Sequence, residues 1–301
     1  MTEDRGTNEA ELIVTDSRTT QVGEFDVRRA LPTRGRRTVG PWCFIDHMGP
    51  ATFSPDKSFD IAPHPHLGLQ TVTWLFDGEI LHRDSLGSEQ LIRPGQMNLM
   101  TSGEGIAHSE ENPGVTSGAL HGVQLWVALP SATRHGPSAF EHHESLPKFD
   151  MPNAEATVLV GTVGNAVSRA RHDSEAVGVE LKLKRGQHVV PLDRTFEYAM
   201  VVTSGDVGLD DTHVTPGHLA YLGRGRDEVR LTTSEDAVAM LLGGVPFDET
   251  IMMWWNFVAR TQDEISAAYE SWAKGDERFG RVASTLARIE VGPPPWFRSN
   301  R

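Results

Sequence analysis

Cys43 is the only cysteine in the chain, so no intramolecular disulfide can form and no paired-cysteine metal or redox motif is available. That usage fits a reducing compartment. Long apolar runs are missing as well: no window approaches the ~20 apolar residues that a membrane-spanning helix needs. The first residues, MTEDRGTNEAELIV, are acidic where a secretion signal is basic, and no long apolar stretch follows them. A soluble, cytoplasmic protein is the expectation. Basic charge is also in short supply. The 28 Lys and Arg are outnumbered by 41 Asp and Glu, and the formal charge of −13 excludes a general nucleic-acid binder and disfavours an anionic membrane surface. The local exception is the stretch holding Arg28, Arg29, Arg34, Arg36 and Arg37, which reads as a solvated hairpin.

Turn chemistry is abundant. The 29 Gly and 18 Pro are spread over the whole length between short apolar runs, a pattern that favours many short strands over long helices. A chain of 301 residues exceeds one small core and fits two domains, and its 38% hydrophobic and 23% charged content is that of a globular chain. From about Glu11 to Leu129, segments such as QTVTWLF, EILHRDSL and LHGVQLWVAL alternate with the turns PTRG, DG, SLGS and RPGQ. Pro130 to about Asn153 reads as a linker, and strand-like segments resume at TVLVGTVG, VGVELKLKRG, EYAMVVTSGDV and HLAYLG.

The two halves look alike. Setting TWLFDGEI (73–80) against MVVTSGDV (200–207) also brings RPGQMNLM (93–100) near TPGHLAYL (215–222). The expectation is a duplicated barrel with a shorter central hairpin in the second copy. The predicted layout is an N-terminal metal-binding domain over 1–135, a linker over 136–155 and a C-terminal domain without a metal site over 156–301. One helix is predicted near the end. Thr261 and Glu264 form a T-x-x-E capping box, Ile265, Tyr269 and Trp272 share a face, and Gly275 closes it.

In a strand, residues i and i+2 point to the same side about 7 Å apart, close enough for long side chains to converge on one ion. His64 and His66 have that spacing, and His108 and Glu110 repeat it. A lone H-x-H is usually a surface or hydrogen-bonded pair, and H-x-E alone means less. The weight lies in the combination, because Gly78, Pro94 and Gly95 lie between the pairs at turn positions that fold the second pair over the first. Three imidazoles and a carboxylate suit a borderline divalent ion: iron, manganese, nickel, cobalt, copper or zinc, but not calcium. His47, His82, His121, His142 and His143 have no comparable partner and read as structural or surface residues. The glycines of SGEGIAHSE lack the G-K-[ST] of a phosphate loop, no Ser-His-Asp order stands out, and Cys43 has no clear base beside it.

PHPHLGLQTVTWLFDGEILHRDSLG followed by PGQMNLMTSGEGIAHSE resembles the two cupin motifs of the pirin family. VRRALPTRGRRTVGPWCFIDHMGP and GGVPFDETIMMWWNFVARTQDEI resemble the family's N-terminal region and its C-terminal strand-to-helix segment, so the likeness covers nearly the whole chain. It implies an all-β fold of two tandem cupin (jelly-roll β-barrel) domains. It also implies one metal in the N-terminal barrel on His64, His66, His108 and Glu110, and Fe(II) as that metal, since pirins are iron proteins. Cupins often carry a ligand Glu four residues after the second His, and Gln70 stands there instead. In the second copy the repeat sets Pro191 and Asp193 against His64 and His66, and Arg230 and Thr232 against His108 and Glu110, which argues against a second metal.

Functionally, the resemblance implies a quercetin 2,3-dioxygenase-like enzyme that opens a small aromatic flavonol with O2. Glu110 would take the substrate proton, and the apolar residues around Trp74, Phe76 and Met97 do not identify the substrate. The alternative is a redox-sensing regulator whose iron alters a surface read by a protein partner. A third reading is a storage or metabolic cupin holding zinc or manganese.

Overall fold

The structure is a computed structural model that describes residues 12–23, 25–54, 59–114 and 117–297. The acidic N-terminal stretch before residue 12, on which the expectation of no secretion signal rests, lies outside the described residues. Among the described residues the fold is all-β apart from one α-helix, as the turn-rich composition predicts. By contacts it divides into two compact units. The first comprises Ile45–Ser145 together with Thr19–Val27 and Asp248–Arg301, and the second comprises Leu146–Phe247 with Arg28–Phe44 and the segment ending at Arg18. Among the described residues, no helix is long and apolar enough to cross a membrane.

The first unit holds a four-stranded sheet in the order Ile61–His66, Ile106–Glu111, Ile80–Asp84, Glu89–Ile92. Its larger sheet runs Ala139–His143, Met97–Thr101, Leu69–Asp77, Gly118–Ala128, Trp42–Phe53, Phe25–Leu31, Arg18–Val22. Leu75 from the larger sheet packs with Ile80 and Ile92 from the smaller one. Each such buried side chain is worth about 1.5–3 kcal/mol relative to exposure.

The second unit repeats this plan strand for strand. Its larger sheet runs Ile13–Asp16, His218–Gly223, Glu197–Ser204, Ala237–Gly244, Ala176–Leu183, Ala154–Val160, Lys148–Met151, and its smaller one Gly186–Pro191, Glu228–Thr233, Val207–Leu209, Thr212–Val214. Leu69–Asp77 and Glu197–Ser204 thus occupy the same place, as the repeat predicts. The central hairpin is shorter in the second copy, with strands of 3 and 3 residues against 5 and 4.

The predicted layout is linear, and the contact units are not. Residues 136–155, expected as a linker, contain two paired strands: Ala139–His143 on Met97–Thr101, and Lys148–Met151 on Ala154–Val160. Residues 248–301, expected with the C-terminal domain, group with the first unit. Backbone pairing and apolar burial explain this. Val258 N–H donates to Leu67 C=O at 2.9 Å, Ala107 N–H to Phe279 C=O at 2.9 Å and Ile289 N–H to Pro63 C=O at 2.8 Å. Phe257, Ile265, Ala268, Trp272 and Phe279 cluster with Leu67 and Ala107. The arginine stretch also differs from a solvated hairpin, because the Arg36 guanidinium lies 3.2 Å from the Tyr221 ring centre and Arg29 lies 4.3 Å from that of Phe44.

The helix spans Gln262–Lys274, with Thr261 accepting from Glu264 N–H and Gly275 closing it at φ 68°. Only half of the expected capping box forms. The Glu264 carboxylate accepts from Arg260 N–H at 2.9 Å and takes both Arg134 guanidinium nitrogens at 2.8 Å, a two-pronged pair that is stronger than a single neutral bond. Arg134 thereby holds Glu264 well below the usual carboxylate range, at about 2. A depressed carboxylate contributes stability that is complete above its unfolded value and is lost as pH falls through its folded one. In urea titrations, Glu264→Gln should therefore be less stable than wild type by about 1–2 kcal/mol at neutral pH. That gap should close as pH falls from 4.5 towards 2.

Candidate metal centre

The sharp bend after His66 explains how the paired histidines reach one place. Gly68 takes φ +72°, and a side chain there would run into the Val258 carbonyl, so the chain turns from the smaller sheet into the larger one against the C-terminal segment. Across the smaller sheet His108 stands opposite His64, and Ile106 opposite His66. The register then slips, setting Glu110 opposite Ile61, and the extra residue falls next to Pro63, which has no N–H to give to a ladder.

His64, His66 and His108 meet. One ring nitrogen from each lies within 4.8 Å of the others, and all three side chains are buried. The ring centres are 4.4 to 5.0 Å apart. His64 Nδ1 is tied to Ala62 C=O at 2.9 Å, which makes Nδ1 the protonated nitrogen and leaves the Nε2 lone pair free. Burial lowers the His64 pKa to about 4 and holds His66 and His108 well below the ordinary value, with the neighbouring imidazoles adding to the effect. The triad is therefore neutral at physiological pH, the form in which imidazole binds a metal.

Glu110 is not in that tight group. It reaches across to the larger sheet, where Gln124 Nε2 donates to its Oε1 at 3.1 Å. The Thr73 hydroxyl stands 3.3 Å from the same Oε1 and 2.8 Å from Gln124 Oε1, so its one proton serves either acceptor. Oε2 carries neither bond. Burial pushes the Glu110 pKa up, against the opposing pull of His82, Thr73 and Gln124.

The donor set fits a metal ion. His66 Nδ1 and Nε2 and His108 Nε2 are buried without a hydrogen-bond partner, and the nearby Asn256 backbone stays outside bonding geometry to His66. His66 and His108 thus each present an orphaned imidazole nitrogen beside the His64 ring, which is costly unless those nitrogens share a cation. That donor chemistry suits a borderline divalent ion.

Several residues at the site were not singled out by spacing. Trp126 stands edge-on to His66 with ring centres 5.2 Å apart, on the same strand face as Gln124. The alternation Thr71, Thr73 facing Gln124, Trp126 within otherwise apolar strands is the signal that marks them. His82, expected to be structural or surface, is buried and sits beside His108, with Nδ1 of the two rings 3.4 Å apart. Its own i+2 partner is Asp84, at 3.2 Å from Nε2. Burial alone would raise the Asp84 pKa, but the bonds from His82 and Ser88 outweigh it and keep the carboxyl ionised. The other histidines pair elsewhere: His47 with His121 at 2.8 Å, His142 with Asn98 at 2.7 Å and His143 with Glu141 at 3.1 Å. Trp74 and Met97 are buried, and Phe76 packs against His121.

The sequence pattern of Pirin matches residues 24–127, and that of the Pirin C-terminal cupin domain matches residues 178–280. The chain belongs to the pirin family. A Pseudomonas aeruginosa protein provisionally named quercetin 2,3-dioxygenase is 44% identical over 276 residues, 91% of this chain and 87% of that one. A pirin-like protein from Caulobacter vibrioides is 38% identical, over 87% of this chain and 93% of its own. The solved quercetin 2,3-dioxygenase of Acinetobacter baumannii superimposes with a TM-score of 0.92 at 39% identity, covering 95% of this chain and 97% of that one. The fold is thus that of two tandem cupins.

In this pirin, Gln70 takes the place of a common cupin glutamate, and its Nε2 donates to the Thr101 hydroxyl at 2.9 Å. In the second cupin, Arg230 faces Val189 across the smaller sheet, two residues short of Pro191, and its exposed guanidinium pairs with Glu228. Val177, Val179, Leu181, Val190, Met200 and Leu241 belong to the aliphatic core of that unit.

Proposed function

We propose that this pirin is an iron-dependent dioxygenase acting on a flavonol-type aromatic, with His64, His66, His108 and Glu110 as the ligand set and Glu110 as the proton acceptor. One observation carries the reading. A buried, neutral histidine triad with orphaned nitrogens lies between the same two sheets as a buried carboxylate of raised pKa. The names borne by the Pseudomonas and Acinetobacter relatives point to the same chemistry, and the choice of iron rests on the resemblance of the motifs to those of pirins.

When bound, the ion would supply positive charge and open coordination positions that acidify a hydroxyl and bring it together with O2. The chain does the rest. His64, His66 and His108 would hold the ion with neutral nitrogens, so no proton need leave the triad on loading. Glu110 Oε2 takes the proton of the flavonol 3-hydroxyl, with Gln124 and Thr73 holding Oε1 so that the carboxylate cannot swing away. Its raised pKa makes it a stronger base than an exposed glutamate. Trp126 walls the His66 side against water.

The test is anaerobic loading with Fe(II), then oxygen uptake with and without quercetin, with His66→Ala as control. Uptake that needs iron, flavonol and His66 is the expected result. Iron bound one to one without flavonol-dependent uptake overturns the enzymatic reading.

A further inference from the structure

We propose that Asp84 and His82 form a positioning relay that dictates which nitrogen of His108 is left free, and that this relay sets the affinity of the triad for its ion. The inference rests on the metal-centre reading above, and reaches residues that no motif or relative assigns. The strand Ile80–Asp84 lies beside Ile106–Glu111, with Asp84 opposite His108 and His82 opposite Glu110. His82, Asp84 and His108 are buried. Phe140, stacked on the His82 ring at 4.4 Å and 16°, fixes its plane.

The proton positions follow link by link. Asp84 Oδ1 is occupied by the N–H groups of Leu86 at 2.9 Å and Ser88 at 3.0 Å, which locks the carboxylate and leaves Oδ2 facing His82 Nε2 at 3.2 Å. A carboxylate only accepts, so His82 Nε2 carries the hydrogen. With its single hydrogen held there by Asp84, the ring has its lone pair on Nδ1, the atom that faces His108 Nδ1 at 3.4 Å. His108 must therefore carry its hydrogen on Nδ1. That leaves a lone pair on Nε2, the nitrogen found buried without a partner. At 3.4 Å the His–His contact is long for a hydrogen bond, so it acts through direction more than through strength. Outer partners of this kind fix the tautomer of a ligand histidine, and losing one typically weakens metal binding 10–100-fold.

Asp84→Asn inverts the relay with little change of shape. The Asn oxygen can keep the Leu86 and Ser88 bonds, while its NH2 faces His82 Nε2 and turns that atom into an acceptor. His82 then carries its hydrogen on Nδ1 and His108 on Nε2, where the lone pair was. Two measurements decide the proposal. Nitrogen-15 NMR of the histidine rings in metal-free wild type should show His108 protonated on Nδ1 and His82 on Nε2, with both reversed in Asp84→Asn. Anaerobic Co(II) titration should show binding about 10–100-fold weaker in the variant. His108 protonated on Nε2 in wild type, or a variant affinity within about twofold of wild type, overturns the relay. If Asp84→Asn does not fold, the wild-type spectrum alone decides. Predicted tautomers in a wild type that binds no Co(II) would sink the metal-centre reading, and with it the role in affinity, while leaving the assignment of the His108 hydrogen to the relay standing.

Discussion

His66→Ala should abolish stable metal uptake while His143→Ala leaves it intact. The His66 ring is buried against Trp126, and neither of its nitrogens has a hydrogen-bond partner, so its removal deletes one of three converging donors. Losing an outer partner of a ligand costs about 10–100-fold in affinity, and losing a ligand outright should exceed that range. His143 is bonded to Glu141 on the strand at the edge of the larger sheet and contributes no atom to the triad. Metal content after anaerobic Fe(II) loading is one readout. Thermal stability is the second, because an ion at 100 times its Kd stabilises the folded state by about 2.7 kcal/mol. Wild type and His143→Ala should both gain that stability on loading, and His66→Ala should gain none. Equal metal loss in both variants contradicts the ligand assignment.

Measured at saturating Fe(II), Glu110→Gln should lose turnover by about 10²–10⁴-fold, the usual worth of a positioned base. Gln has the shape to accept from Gln124 and Thr73 at the Oε1 position, so the wall of the site stays in place. What it lacks is the second carboxylate oxygen, the atom left free to take a proton. The loss should fall on kcat rather than on KM. The sign of the pH effect follows from burial. Glu110 titrates above the ordinary carboxylate value, and a base works only when deprotonated, so wild-type kcat/KM should fall as pH drops through that raised value. The residual rate of Glu110→Gln should not show this step. A variant with more than about one third of wild-type kcat removes Glu110 from the proposed role.

Much of this was legible in the sequence because strand geometry is simple. The two-residue period places His64 with His66, and the Pro-Gly and Gly turns bring His108 over them. The repeat of TWLFDGEI in MVVTSGDV likewise corresponds to two sheets with the same strand order. The tightness of the group was less legible. Pro63 sits at a register slip that puts Glu110 opposite Ile61, so an i, i+2 rule that ignores bulges draws the carboxylate closer to the triad than it lies. His82 was passed over because its importance is lateral, one strand across from His108, and only strand order brings the two together. The contact units depart from the linear boundaries for a related reason. Periodicity marks Gln262–Lys274 as a helix, but Phe257 and Trp272 choose their neighbours by apolar burial, which no local pattern encodes.

The central claim is that one ion rests on His64, His66 and His108. Iron K-edge X-ray absorption on the anaerobically Fe(II)-loaded chain tests it most directly. The account predicts one iron per chain with the scattering signature of three imidazoles in its first shell. A shell of oxygen donors with one imidazole or none contradicts it.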